Sequence, residues 1–244
     1  MIKPLILALQ LLTRIPIPIE IEVTKEQEGR SILFYPLVGL ILGAILYGVA
    51  LLLPAQNLLL NSAIVITLWL FLTGPLHIDG LADSADAWVG GMGDPQRTLD
   101  IMKDPYCGPM GVTVIVVTLM LKFTALYTLL QQNYMLPLLL IPMLGRGGIL
   151  LLFLTTPYVR KLGMGSALAS HLPRVMAWLM LLITVNVWLY SMQWNGFIGL
   201  LLLLILFLFF RQSLMQRIGG TTGDTAGALV ELSELVLLVS VAIR

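Results

Sequence analysis

The sequence predicts an all-α protein, a bundle of about seven membrane-spanning helices, and three observations carry that prediction. Apolar residues make up 58% of the 244 residues and charged residues only 11%, against about 25% charged in a soluble domain. Long apolar stretches recur from residue 32 to residue 243. Lys and Arg gather in alternate connections between those stretches. The net charge of +1 supplies no field for polyanions, and no basic stripe interleaved with aromatics appears, so nucleic acid is not expected as a partner. The single cysteine, Cys107, excludes an intrachain disulfide.

Residues 1–31 open the chain. The apolar run at 4–12 is too short to cross roughly 30 Å of hydrocarbon at about 1.5 Å per residue. Thr13, Arg14, Pro16 and Pro18 follow it, and no small-residue cleavage site is evident. This segment reads as interfacial. The spans are then 32–53, 58–76, 109–130, 135–155, 173–191, 194–210 and 226–243. Helices are required because lipid cannot satisfy free backbone N–H and C=O groups. If the N-terminus is cytoplasmic, Lys3, Arg14, Lys25, Arg30, Arg97, Lys103, Arg160, Lys161, Arg174, Arg211 and Arg217 all lie inside. Arg244 alone lies outside, while Lys122 and Arg146 fall within spans. This asymmetry selects the cytoplasmic N-terminus. It also places the three long connections, 77–108, 156–172 and 211–225, in the cytosol as the active-site loops of one integral membrane domain, 1–244.

The first of these loops carries the most informative run, His77-Ile78-Asp79-Gly80-Leu81-Ala82-Asp83-Ser84-Ala85-Asp86. On a helix Asp79, Asp83 and Asp86 stand at i, i+4 and i+7, on one face. No base lies at i+3 or i+4 to relieve their repulsion. Hard oxygen ligands at this density suit Mg²⁺ or Mn²⁺, with water and substrate phosphates completing the shell. A solvated acidic face is the plainer alternative. His77 reads either as a proton shuttle or ligand or as a satisfied interfacial residue.

Phosphate chemistry is suggested by the other polar islands. Gly90, Gly91 and Gly93 allow close backbone approach, and Arg97 and Lys103 carry neutralising charge. Asp104 is a metal ligand or a partner to Lys103. Lys122 needs a polar cavity or a pairing with Glu231 or Glu234, since intramembrane charge is costly. Arg146, in Gly145-Arg146-Gly147-Gly148, is expected to hold a substrate phosphate, with a structural ion pair as the alternative. Thr221, Thr222 and Asp224 open the last helix, where hydroxyls and a helix N-terminus form an anion site. Asp224 either joins the carboxylates or caps that helix. No Walker loop is present.

Taken in order, HIDGLADSADAWVGG (77–91), the R-x3-IMKD-x3-G-x2-G pattern (97–111) and GGTTGDTAGA-x2-EL-x-E (219–234) resemble the cobalamin synthase family, the adenosylcobinamide-GDP ribazoletransferases. TRIPIP (13–18), YPLVG-x3-G (35–43), Gly145-Arg146 and the Gly163-Met164-Gly165 turn extend the likeness, with Ala226 and Met164 standing where leucine is usual. The resemblance implies that a hydroxyl of α-ribazole, or of its 5′-phosphate, attacks adenosylcobinamide-GDP and releases GMP. It implies Mg²⁺ as cofactor, held by Asp79, Asp83 and Asp86, with one of them, Asp86 foremost, serving instead as general base. His77, Arg97, Lys103, Asp104, Arg146, Thr221, Thr222 and Asp224 would line the substrate site. It further implies the cytoplasmic (inner) membrane, contact with membrane lipid, and room for a homo-oligomer or a complex with other enzymes of the pathway. Two other readings compete. A CDP-alcohol lipid phosphotransferase would need D-G-x2-A-R, where this chain has Asp83-Ser84. A transporter with an acidic mouth would bind near the midplane, often between repeats, and no repeat is visible.

Overall fold

The computed structural model describes residues 2–19, 22–160, 163 and 165–243. Lys161, Met164 and Arg244, used in the reading above, lie outside the described residues. Among the described residues every regular element is helical, apart from an isolated parallel bridge between Tyr158 and Thr221.

Helix α1 (Ile2–Leu12) buries Pro4, Ala8 and Leu12. Helix α2 (Lys25–Ser31) starts at a reciprocal cap: Thr24 accepts from the Gln27 amide, and the Gln27 side chain accepts from the Thr24 amide. It continues through a 3-10 turn, Ile32–Phe34, into α3 (Tyr35–Leu52), so the helical path begins at Lys25 rather than at residue 32. Next come α4 (Leu58–Thr73), α5 (Leu76–Gly90), α6 (Pro95–Ile101), α7 (Pro109–Gln131), α8 (Leu136–Thr155), α9 (Gly165–Ser170), α10 (Arg174–Ile218) and α11 (Gly223–Ala242).

Among the described residues five helical stretches are long and apolar enough to cross a bilayer, and α4 with α5 makes a sixth only if that pair, bent by 89°, counts as one span. The bend at Gly74-Pro75 ends α4 three residues before the expected limit of residue 76. It turns α5 across the end of the bundle. The spans expected at 173–191 and 194–210 are both inside α10, which breaks at Gln193 (φ 50°, ψ −127°). The chain reverses there. Arg174 donates to the Leu154 carbonyl at 2.7 Å, and Arg211 donates to the Thr155 carbonyl at 2.7 and 3.1 Å. Both ends of α10 therefore reach the C-terminal carbonyls of α8, where cations are favourable.

Close helix contacts follow the small residues. A Cβ at Gly39 or Gly43 of α3 would strike the α8 backbone at Pro142 or Leu139. This four-residue glycine spacing lets the two backbones meet without a hydrophobic driving force. In the centre, Lys122 of α7 meets Glu231 at 2.6 Å and Glu234 at 2.8 Å, and Arg146 of α8 meets Glu234 at 2.6 Å. Lys122 also lies 5.0 Å from the centroid of the Trp69 ring. Two cations and two carboxylates thus cancel inside the bundle and pin α7 and α8 to α11. The pairing expected of Lys122 is observed. Arg146, expected to hold a substrate phosphate with a structural ion pair as the alternative, has a fully buried side chain engaged by Glu234, the Pro142 carbonyl and Thr73.

Candidate active site

Helix α5 carries the acidic run across the end of the bundle, and α11 fixes its position. A Cβ at Gly80 would stand 2.5 Å from the Asp224 carbonyl oxygen and 2.9 Å from its Cα, so the two backbones touch at that glycine. This contact sets Asp224, in the first turn of α11, beside the Asp79 and Asp83 face. Thr222 supplies the α11 cap, accepting from the Thr225 amide at 3.2 Å while Thr225 accepts from the Thr222 amide at 2.9 Å. Asp224 is free of that duty and pairs with Arg160 at 2.7 Å. Arg160 is held nearby because the Thr221 amide donates to the Pro157 carbonyl and the Val159 amide donates to the Thr221 carbonyl.

The electrostatics of this corner are anionic. Asp83 is pushed up from 3.8 to about 7, first by burial and then by the charges of Asp79, Asp224 and Asp86, with Arg160 pulling the other way. Near neutral pH it can therefore hold or release a proton. Asp86 behaves differently. Its two oxygens accept from the Gly108 amide at 2.7 Å and the Gly111 amide at 3.0 Å. That places a carboxylate on the N-terminus of α7, where otherwise unpaired amides and the helix dipole favour it. Among the described residues no three His, Cys, Asp or Glu side chains converge as a preformed metal centre. Of the triad expected from helical spacing, Asp86 acts on Asp83 by its charge while its oxygens accept from α7 amides, and Asp224 stands beside the same face. The chemistry of the donors still fits Mg²⁺, which takes one or two protein carboxylates and shares its other positions with water and phosphate oxygens.

The remaining expected residues separate into the rim and the interior. Arg97 is exposed on α6, whose N-cap Asp94 accepts from the Arg97 amide at 2.7 Å. Lys103 pairs with Asp100 at 3.1 Å, not with Asp104, and Asp104 accepts from the Tyr106 amide at 3.0 Å. Thr221 and Thr222 are fully buried in the cap and bridge hydrogen bonds, so substrate does not reach them in this conformation. His77 is likewise buried, at 2% exposure, with no protein partner on either ring nitrogen. It lies on a small apolar cavity of about 60 Å³ that Tyr35 also lines. Of the two expectations for His77, a proton shuttle or ligand and a satisfied interfacial residue, the second is not met, since neither ring nitrogen has a protein partner. Sequence reasoning missed Arg160 as a site residue and used it only to orient the chain. The available signal was its place just before the glycine turn in one of the three long connections.

A multi-pass helical membrane protein with acidic and guanidinium groups gathered at one end of its bundle is, in class, a membrane-embedded enzyme for phosphorylated substrates. The cobalamin-5-phosphate synthase family model matches residues 4–242, and the chain belongs to that family. It is 50% identical over 240 residues to the adenosylcobinamide-GDP ribazoletransferase of Pseudomonas fluorescens (strain Pf0-1), covering 98% of this chain and 99% of the relative. The Stutzerimonas stutzeri (strain A1501) protein of that name is 52% identical over 241 residues, 99% of this chain and 98% of the relative. That of Ectopseudomonas mendocina (strain ymp) is 52% identical over 244 residues, 100% of this chain and 99% of the relative. No solved structure matches the chain.

Proposed function

We propose that this protein is an adenosylcobinamide-GDP ribazoletransferase, joining adenosylcobinamide-GDP to α-ribazole or its 5′-phosphate in cobalamin biosynthesis. The end-to-end match to relatives of that name carries the reading, and the acidic corner at α5 and α11 supplies the chemistry it needs. The ribazole hydroxyl oxygen bonds to the phosphorus next to cobinamide. The bond from that phosphorus to the bridging oxygen breaks, and GMP leaves with the oxygen. The hydroxyl proton goes to a carboxylate. Asp79, Asp83 and Asp224 would hold Mg²⁺, which when bound neutralises the diphosphate charge. Arg160, already oriented by Asp224, is placed to hold a phosphate oxygen.

The two arms of α10, together with α3, α4, α7, α8 and α11, support seven crossings. The positive-inside asymmetry supports a cytoplasmic N-terminus and an active site facing the cytoplasm of the inner membrane.

The test is GMP release by purified protein given adenosylcobinamide-GDP and α-ribazole, with and without Mg²⁺. Turnover should need all three. Asp79→Asn and Asp83→Asn should abolish it in a folded protein, and Arg160→Gln should raise KM. Undiminished turnover in both carboxamide variants would remove the roles assigned to these carboxylates. Turnover unaffected by chelator would remove the cation.

A further inference from the structure

Behind the carboxylate face of α5 lies a groove of about 350 Å³. Leu81, Ala85 and Trp88 of α5 form one wall, with Val114 of α7, Phe210 of α10 and Leu232 of α11 opposite. Its borders at α7 and α10 are strongly apolar and exposed: Val116 is 49% exposed, Val117 50%, Leu208 56% and Phe209 75%. In a bilayer these surfaces meet hydrocarbon. Water is excluded there, so the groove must be filled by something with the shape and polarity of an acyl chain.

One end of the groove is polar. Trp88 donates its indole N–H to Ser213 at 2.9 Å. One turn beyond Ser213, the guanidinium of Arg217 lies 5.7 Å from the centroid of the Trp88 ring and donates through Nη2 to the Trp88 carbonyl at 2.8 Å. Its Nη1 is buried without a partner on the side of Gly93, just beyond the groove's lining, and among the described residues no carboxylate pairs with Arg217. From Arg217 back to Phe209 the helix rises about 12 Å. An unneutralised cation thus stands one headgroup length from an apolar slot that opens to lipid.

We propose that this groove binds one anionic phospholipid, its phosphate at Arg217 and an acyl chain running past Ser213 to Phe209 and Phe210. The site is separate from the transfer reaction and does not depend on it. Its inner wall is the back of the helix that carries Asp79 and Asp83, so the bound chain braces that helix from the membrane side.

The test is native mass spectrometry of the full chain in mixed micelles of equal phosphatidylglycerol and phosphatidylcholine. One lipid should stay bound, with phosphatidylglycerol preferred by about tenfold, the effect of one charge-assisted contact. Arg217→Gln, which keeps a donor for the Trp88 carbonyl, should bring the preference to parity. Val114→Trp should fill the slot and lose the lipid. A wild-type measurement guards against misfolded variants: phosphatidylglycerol with a photoactivatable acyl chain should label the peptides of Val114 and Phe209–Phe210, and inorganic phosphate should not compete. Labelling confined to other helices, competition by phosphate, or an unchanged preference in folded Arg217→Gln would each overturn the assignment.

Discussion

Replacing Asp83 by Asn should stabilise the cation-free protein while abolishing turnover. In the fold the carboxyl is pushed from 3.8 up to about 7 by burial and by Asp79, Asp224 and Asp86. The unfolded chain ionises it near the ordinary value. Between those two pH values the folded state keeps a proton that the unfolded state gives up, so stability falls as pH rises and levels off above about pH 7. Three pH units correspond to about 4 kcal/mol at roughly 1.36 kcal/mol per unit. Water reaches this side chain, and screening reduces the cost to about 2 kcal/mol. Asn matches the protonated acid in shape and avoids that cost. For a chain of this size the gain is a rise of about 4–8 °C in the unfolding midpoint. The assay is thermal unfolding in detergent with chelator, followed by tryptophan fluorescence. Wild type and Asp83→Asn should differ most at about pH 8 and nearly coincide only at about pH 3, where the acid is protonated in the folded and the unfolded chain alike. Adding Mg²⁺ should raise the wild-type midpoint and leave the variant unmoved. A variant no more stable than wild type at the higher pH, or equally favoured at the lower, would refute the account of a crowded, cation-seeking carboxylate.

Asp86→Asn should move the other way. Its amide group would face one of two backbone donors now accepted by carboxylate oxygens, a loss of about 1–3 kcal/mol in the same unfolding assay. Glu234→Gln should cost roughly 3–5 kcal/mol by leaving Arg146 and Lys122 short of one negative charge. Adding Lys122→Met should recover part of that loss by rebalancing the cluster. Gly80→Ala forces α5 and α11 apart, at about 1–3 kcal/mol of stability and about a hundredfold in turnover through misplacement of Asp224. Gly48→Ala, where an added methyl group inside α3 meets open space, should leave turnover unchanged and add about 0.5–1 kcal/mol of stability.

Much of this arrangement was legible in the order of residues, and the parts that were not share a cause. Helical spacing placed Asp79 and Asp83 on one face because i, i+4 is a local property of the helix. The same spacing could not show the partners of Asp86, since Gly108 and Gly111 are brought to it by the path of the chain through α6. Lys122 could be matched to Glu231 and Glu234 because a lone cation in hydrocarbon must find an acid. Arg146 could not be decided, since a substrate phosphate and a buried carboxylate are equally good partners for a guanidinium. Asp224 with Arg160 was invisible for the same reason as Asp86: the contact depends on the Tyr158–Thr221 bridge, which no periodicity announces. The reversal at Gln193 was foreshadowed by two apolar runs with only 192–193 between them.

The neutral quartet of Lys122, Arg146, Glu231 and Glu234 also bears on how the protein is made. A helix bearing two buried acids is a poor candidate for release into lipid by itself. α11 follows α7 and α8 along the chain, so both receiving cations are already synthesised when it emerges. Docking onto them, not hydropathy alone, would admit it. A substitution that removes either cation would therefore leave α11 with an unpaired acid to bury.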